Sequence, residues 1–331
     1  MVWHDTPARA PVGFGGLKLG VSMGLLALIL SSLDMERPLG RLQGAQVWML
    51  IPALALLQIQ ALGAAQRWRL ALGVQGWALP FARCWRNVLL GLFVNQALPS
   101  TFGGDALRVW HGWRLGLPLG LATRSLITDR VFSFVGLIGV CVAGLPFLAS
   151  KTDDPVVISG LLSLVLGGLA CLVILLSLRF VPARLAGMPA LAGAVALSRG
   201  AWAVLLTPRV APVVAGLMVL PHVLDISVVW LATHALGTPV PWLALALVVP
   251  PAILTSAVPV SIAGWGLREG ALVVGFGLLG LPADLALTCS VLYGLSAVAT
   301  GGIGGLIWAT TDPEGLRGAF TQRAPEQDEA R

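Results

Sequence analysis

The sequence predicts an all-α polytopic membrane protein, with six full spans plus two broken re-entrant helical hairpins in an inverted repeat. Three observations predict it. The 331 residues are 57% hydrophobic and only 11% charged, with a mean hydropathy of +0.88. That excludes an ordinary soluble domain and a disordered chain alike. Apolar runs near twenty residues recur, the length a helix needs to cross about 30 Å of hydrocarbon, and alternating ten-residue strand patterns do not. Two further apolar stretches are each interrupted by proline and glycine at corresponding places.

Taken in order, the full spans fall near 18–34, 44–63, 122–149, 156–178, 210–236 and 283–310, and the broken stretches are 86–116 and 241–280. Arg9 and Lys18 precede the apolar run Leu19 to Leu33 as they would in a signal peptide, but Ser31-Ser32-Leu33-Asp34-Met35-Glu36-Arg37-Pro38 offers no small-x-small cleavage site. A retained first span is expected. Residues 1–311 then form one integral membrane domain, with repeats at about 44–149 and 210–310 and no room at either terminus for a soluble domain. The tail 312–331 alternates charge, contains Pro325, and is expected to be mobile and solvated.

Arginine sets the orientation. Segment 64–87 carries Arg67, Arg69, Arg83 and Arg86, and segment 179–209 carries Arg179, Arg184, Arg199 and Arg209, neither with an acid. Segments 34–43 and 150–155 mix acids with bases. The arginine-only segments are therefore assigned to the cytoplasm, which places both termini inside. This bias accounts for the net charge of +6 without a nucleic-acid partner. Trp68, Trp77, Trp85 and Trp202 among these arginines suit either interfacial helices or loops with interface anchors.

The first broken stretch reads Asn95-Gln96-Ala97-Leu98-Pro99-Ser100-Thr101-Phe102-Gly103-Gly104-Asp105-Ala106-Leu107-Arg108. Pro99 lacks a helical N–H, and Gly103-Gly104 allow angles other residues avoid, so the chain turns here. Shifted by 160 positions, Pro99 meets Pro259, Gly104 meets Gly264, Leu107 meets Leu267 and Arg108 meets Arg268. Gly116-Leu117-Pro118 likewise matches Gly280-Leu281-Pro282, each followed by a full span. The first hairpin would enter from the arginine-rich side and the second from the other, so the repeats are inverted. Paired Pro/Gly-interrupted segments in two such halves point to a transporter's midplane site.

Six charged groups lie near these breaks: Asp105, Arg108, Asp129, Arg130, Arg268 and Glu269. Unpaired in lipid they would together cost on the order of 15 kcal/mol. They must pair or line a wet cavity. Asp105 with Arg108 forms an i, i+3 couple on one helix face, whereas adjacent Arg268 and Glu269 point apart and need other partners. One reading is a clamp between half-helices. The other is a headgroup site built from Asn95, Gln96, Gly104, Asp105, Arg108, Asp129, Arg130, Gly264, Arg268 and Glu269, in which arginine forks and helix N-termini accept an anion such as phosphate.

His222 and Asp225 are read as a mutually satisfied i, i+3 pair, and the Gly301–Gly305 run as a close-packing stripe. Cys84, Cys141, Cys171 and Cys289 have no metal or redox spacing. There is no GxSxG, P-loop, HExxH or carboxylate-rich metal cluster, so neither an enzyme nor a cofactor is expected.

The run Asn95…Leu98-Pro99…Gly103-Gly104-Asp105…Arg108, Gly116, then Ser125…Asp129-Arg130, resembles the lysylphosphatidylglycerol synthase transmembrane-region family of flippase-like membrane proteins. Pro259…Gly264-Trp265-Gly266-Leu267-Arg268-Glu269 resembles its second signature, with Ala263 where a second glycine is expected, and the similarity runs from about 15 to 310. The resemblance implies a bacterial inner-membrane protein that moves a charged, phosphate-bearing lipid between leaflets. In larger members this region is joined to a soluble aminoacyltransferase domain, whose synthase activity is not carried over. Two expectations follow, a lipid flippase working by alternating access, or a non-catalytic accessory subunit that holds a polyprenyl-phosphate carrier for a partner enzyme of glycolipid or envelope assembly. A homo-oligomer is compatible with both.

Overall fold

The computed structural model describes residues 36–97, 103–149, 155–256 and 266–311, and every regular element among them is helical. The expected first span at 18–34, residues 98–102 and 257–265 of the two breaks (Pro99, Pro259 and Gly264 among them) and the charged tail lie outside the described residues.

Among the described residues the helices run α1 (Glu36–Gln43), α2 (Leu50–Val74), α3 (Phe81–Ala97), α4 (Gly103–Arg114), α5 (Leu119–Ala149), α6 (Pro155–Ser177), α7 (Ala183–Ala186), α8 (Pro189–Leu205), α9 (Ala211–Ala235), α10 (Trp242–Ser256), α11 (Leu267–Leu278) and α12 (Ala283–Thr311). Five helical stretches are long and apolar enough to cross a membrane: Val47–Val74, Leu119–Pro146, Ile158–Phe180, Ala211–Ala235 and Ala283–Thr310. Four of these match the expected spans to within a few residues.

The second expected span is too short. Nothing between Gly63 and Val74 breaks the helix, so α2 carries the first half of the arginine segment inward rather than along an interface. Arg67 and Trp68 are buried, while Arg69, two residues on, is exposed. The segment 179–209 contains a helix, α8, whose Val195, Ala201 and Val204 are buried. Ser198 and Trp202 both donate to the Leu176 carbonyl at the end of α6.

Both broken stretches fold back on themselves. Asn87 of α3 donates to the Arg108 carbonyl of α4 (3.0 Å), and Gly91 lies so close to Gly104 that a Cβ on Gly104 would strike the Gly91 carbonyl. Pairing 87 with 108 and 91 with 104 is the register of an antiparallel hairpin. Helices α10 and α11 pair likewise, with Gly275 pressed against Val248.

Each hairpin leaves through the same turn. Gly116 (φ +94°) and Gly280 (φ +71°) adopt the left-handed conformation that lets the next N–H turn back. Leu117 then donates to Gly112, and Leu281 to Phe276 (3.2 and 2.9 Å). Packing extends the match. The order α2-α3-α4-α5 corresponds to α9-α10-α11-α12, and each contact within or between these groups has its counterpart: α3 on α12 with α10 on α5, and α9 on α5 with α2 on α12.

Two long helices show where the hairpins point. Along α12, Trp308 and Gly304 border Arg83, Arg86 and Leu89 near the base of α3, and Gly301 meets Gln96 near its end. From the other end of α12, Leu285 and Ala286 pack with Phe276, while Ser290 and Tyr293 meet Arg268 at the start of α11. Helix α5 repeats the arrangement, with Ala122 beside Gly112 at one end and Gly144 beside Leu247 at the other. The two helix pairs therefore run along α5 and α12 from opposite ends, with Gln96 of α3 beside Gly301 and Arg268 of α11 beside Tyr293. Three of the four glycines in the 301–305 stretch face α3 this way, a Cβ on Gly304 meeting the Leu89 carbonyl and one on Gly305 the Phe93 ring.

Candidate functional site

A cavity of about 190 Å³ lies between α2, α3, α4, α5 and α9. Its polar lining is Gln60, Arg67, Asn95, Arg108, Asp129, Arg130 and Ser133. Helix α2 delivers Arg67 because Ala61, Ala65, Trp68 and Leu72 bury one face of that helix, leaving the guanidinium at its edge opposite α5. Arg67 Nε donates to Asp129 Oδ1 (2.7 Å) and Nη1 to the Leu217 carbonyl (2.8 Å).

Arg108 is held differently. Its Nε donates weakly to Asn87 Oδ1 (3.3 Å), its Nη1 lies 3.7 Å from Asp129 Oδ2, and its guanidinium lies 5.5 Å from the centre of the Trp68 ring. The buried Nη2 has no hydrogen-bond partner. Leaving a charged donor unmade in a buried position costs about 1–3 kcal/mol or more.

At the cavity mouth, Arg130 donates from Nε and Nη2 to both oxygens of Asp105. The expected Asp105–Arg108 couple does not form, because Arg130 on α5 stands opposite Asp105 while Arg108 turns inward. Asn95 Oδ1 accepts from the Gly104 N–H (3.0 Å), tying a first-turn donor of α4 to its own hairpin. Gln96 is exposed on the face of α3 toward α12 and is not part of the lining. Three arginines (Arg67, Arg108 and Arg130) face two carboxylates (Asp105 and Asp129), so the site carries one surplus positive charge.

Arg268 and Glu269 form a second, separate cluster. They were expected to point apart, but the Glu269 carboxylate curls back to accept the Gly266 N–H (2.6 Å), which brings it over the first turn of α11. There Arg268 Nη2 reaches it at 2.6 Å, and Ser290 of α12 accepts from Arg268 (2.9 Å) and donates to Glu269 (2.7 Å). Neither residue lines the cavity.

The expected His222–Asp225 pair is also absent, because the two side chains leave α9 in different directions. His222 Nε2 meets the Ser133 carbonyl (3.0 Å) on α5. Asp225 Oδ1 instead accepts from Gln60 Nε2 (3.0 Å) and Tyr293 Oη (2.8 Å). With Arg268 5.2 Å from the centre of the Tyr293 ring, a polar chain runs from the cavity through Gln60, Asp225 and Tyr293 to the second cluster.

Sequence reasoning missed Arg67, Trp68 and Gln60. The signal was the small-residue face Ala61, Ala64, Ala65 and Ala71, which continues without a break past both aromatic and cation. Among the described residues no group of three His, Cys, Asp or Glu could hold a metal ion.

Comparison with known proteins finds no match among curated sequences. The sequence profile described as "Lysylphosphatidylglycerol synthase TM region" matches residues 16–305. Both signature stretches and the whole arginine cavity fall within that match, and the chain belongs to the lysylphosphatidylglycerol synthase transmembrane-region family.

Proposed function

We propose that this chain moves a lipid with a phosphate-bearing headgroup between the leaflets of the bacterial inner membrane. The observation that carries the reading is Arg108, which lines a cavity with surplus positive charge and keeps a buried Nη2 without a hydrogen-bond partner. A phosphodiester supplies the missing acceptor and the missing negative charge together, and the arginine fork matches two of its oxygens. At about 190 Å³ the cavity falls below the roughly 300–1,000 Å³ of a drug-sized ligand's pocket, so it takes a headgroup phosphate while the acyl chains stay outside.

Six spans, two hairpins entering from opposite faces and two inverted repeats supply the motion in this reading. It is supported by the matched packing of α2–α5 and α9–α12 and by the two helix pairs α3–α4 and α10–α11, which run along α5 and α12 from opposite ends. Rocking one repeat against the other exposes the cavity to each leaflet in turn. Both termini are cytoplasmic, and the chain acts without catalysis.

The test is headgroup translocation of a labelled anionic phospholipid in proteoliposomes, with wild type and Arg108→Ala compared. Wild type accelerates exchange and Arg108→Ala falls to the rate of empty vesicles while retaining its melting transition. Equal rates in the two proteins would remove the cavity from the pathway.

A further inference from the structure

The buried carboxylates of the described residues are Asp129, Asp225, Glu269 and Asp284. Three have an arginine within 4 Å: Asp129 has Arg67 and Arg108, Glu269 has Arg268, and Asp284 has Arg41. Asp225 has none, and its partners, Gln60 and Tyr293, are neutral. It is 4% exposed in the middle of a helix long and apolar enough to span a membrane.

We propose that Asp225 is a proton-binding site whose occupancy is coupled to the anion in the arginine cavity, so that one proton is taken up with each phosphate-bearing headgroup. This rests on the reading of the cavity as an anion site and gives that site an energy source. The argument is a balance of charge in a medium that tolerates little excess. Around the polar chain stand Arg67, Arg108, Arg130 and Arg268 against Asp105, Asp129, Asp225 and Glu269. With Asp225 ionised and the cavity empty, the set is neutral. An entering phosphodiester adds one negative charge, and protonation of Asp225 removes one. Each event therefore favours the other.

Gln60 provides the physical link, because it lines the cavity and bonds Asp225 directly. Every element packed on α9 bears on this. Helix α2 presents Gln60 and, further along, Arg67; α5 presents Asp129 and Ser133; α12 presents Tyr293. Helix α10 carries no titratable group, and the nearest charges from α11 are Arg268 and Glu269 beyond the Tyr293 ring. Helix α8, which touches α9 lightly, carries Arg199. On α9 itself, His222 is turned to the Ser133 carbonyl, and its Nδ1 has no hydrogen-bond partner, which makes it the competing acceptor.

The experiment titrates a short-chain phosphatidylglycerol into weakly buffered detergent-solubilised protein and reads binding by calorimetry and proton uptake by a pH dye. A phosphodiester does not titrate near neutral pH, so any uptake belongs to the protein. Wild type is expected to take up about one proton per anion bound, with affinity falling up to tenfold per pH unit above the carboxyl's own titration. Asp225→Asn binds without uptake. Tyr293→Phe, which loses a donor that favours the charged carboxylate, keeps the uptake but moves it to higher pH. Binding without uptake in wild type, or uptake that persists in Asp225→Asn, overturns the coupling and leaves the anion site standing. No binding at all overturns both.

Discussion

Arg108 and Arg67 reach the same carboxylate, and the difference in how they are held predicts different outcomes on removal. Arg67 is doubly bonded, to Asp129 and to the Leu217 carbonyl, whereas Arg108 keeps a buried donor without a hydrogen-bond partner. Asp129→Asn leaves both cations without their shared counter-charge. Breaking a buried pair by removing one partner is expected to cost about 3–5 kcal/mol. A fall in melting temperature in detergent, partly reversed by a bound anionic lipid, is the expected readout. Arg108→Ala leaves the Arg67–Asp129 bond intact, so anion binding is lost while melting changes far less. If Arg108→Ala melted as early as Asp129→Asn, Arg108 would be a structural partner only. Trp68 makes a subtler contribution. Its Nε1 donates to Ser125 Oγ (3.0 Å), so Trp68→Phe should cost about 1 kcal/mol while keeping a ring beneath Arg108.

Hairpins depend on contacts too short for a side chain. Gly104→Ala would drive a Cβ into the Gly91 carbonyl and the Asn95 amide, forcing α3 and α4 apart at the site's edge. Overpacking of this kind typically costs about 1–3 kcal/mol. On α12, Gly304 faces the Leu89 carbonyl while Gly302 faces open space, which makes an internal control. Gly304→Ala should lower the melting point and Gly302→Ala should leave it within about 0.5 kcal/mol of wild type. Equal effects would mean that helix propensity, not the α3 contact, sets the stability of α12.

Much of this scale was legible in the chain. Gly103 opens α4, next to the break that Pro99 and the glycines suggested through their effect on the backbone itself, while Pro99 and Pro259 lie outside the described residues. What escaped was tertiary. Arg67 reads like any cytoplasmic arginine until Asp129, 62 positions away, is seen to reach it. Glu269 looked divorced from Arg268 because neighbours on a helix point apart, yet a capping bond to Gly266 folds it back. His222 and Asp225 had the right spacing for a pair, and only the neighbouring helices decide which side each faces.

Across the whole molecule, two folded-back helix pairs approach along opposite ends of α5 and α12. The arginine-lined cavity on one side and the Arg268–Glu269–Ser290 cluster on the other are linked by a single chain, Gln60–Asp225–Tyr293. A protein that rocks about such a centre needs its hairpins to open to different compartments. Site-directed labelling tests this directly. Cys84, Cys141 and Cys289 are buried and Cys171 is exposed, so a Cys171→Ser background removes the accessible thiol of the described residues. Leu119→Cys stands at the base of the first hairpin, and Pro239→Cys leads into the second; both positions are exposed. With a membrane-impermeant maleimide, Leu119→Cys is expected to react only from the cytoplasmic side and Pro239→Cys only from the opposite side. Labelling of both from one face would contradict the account.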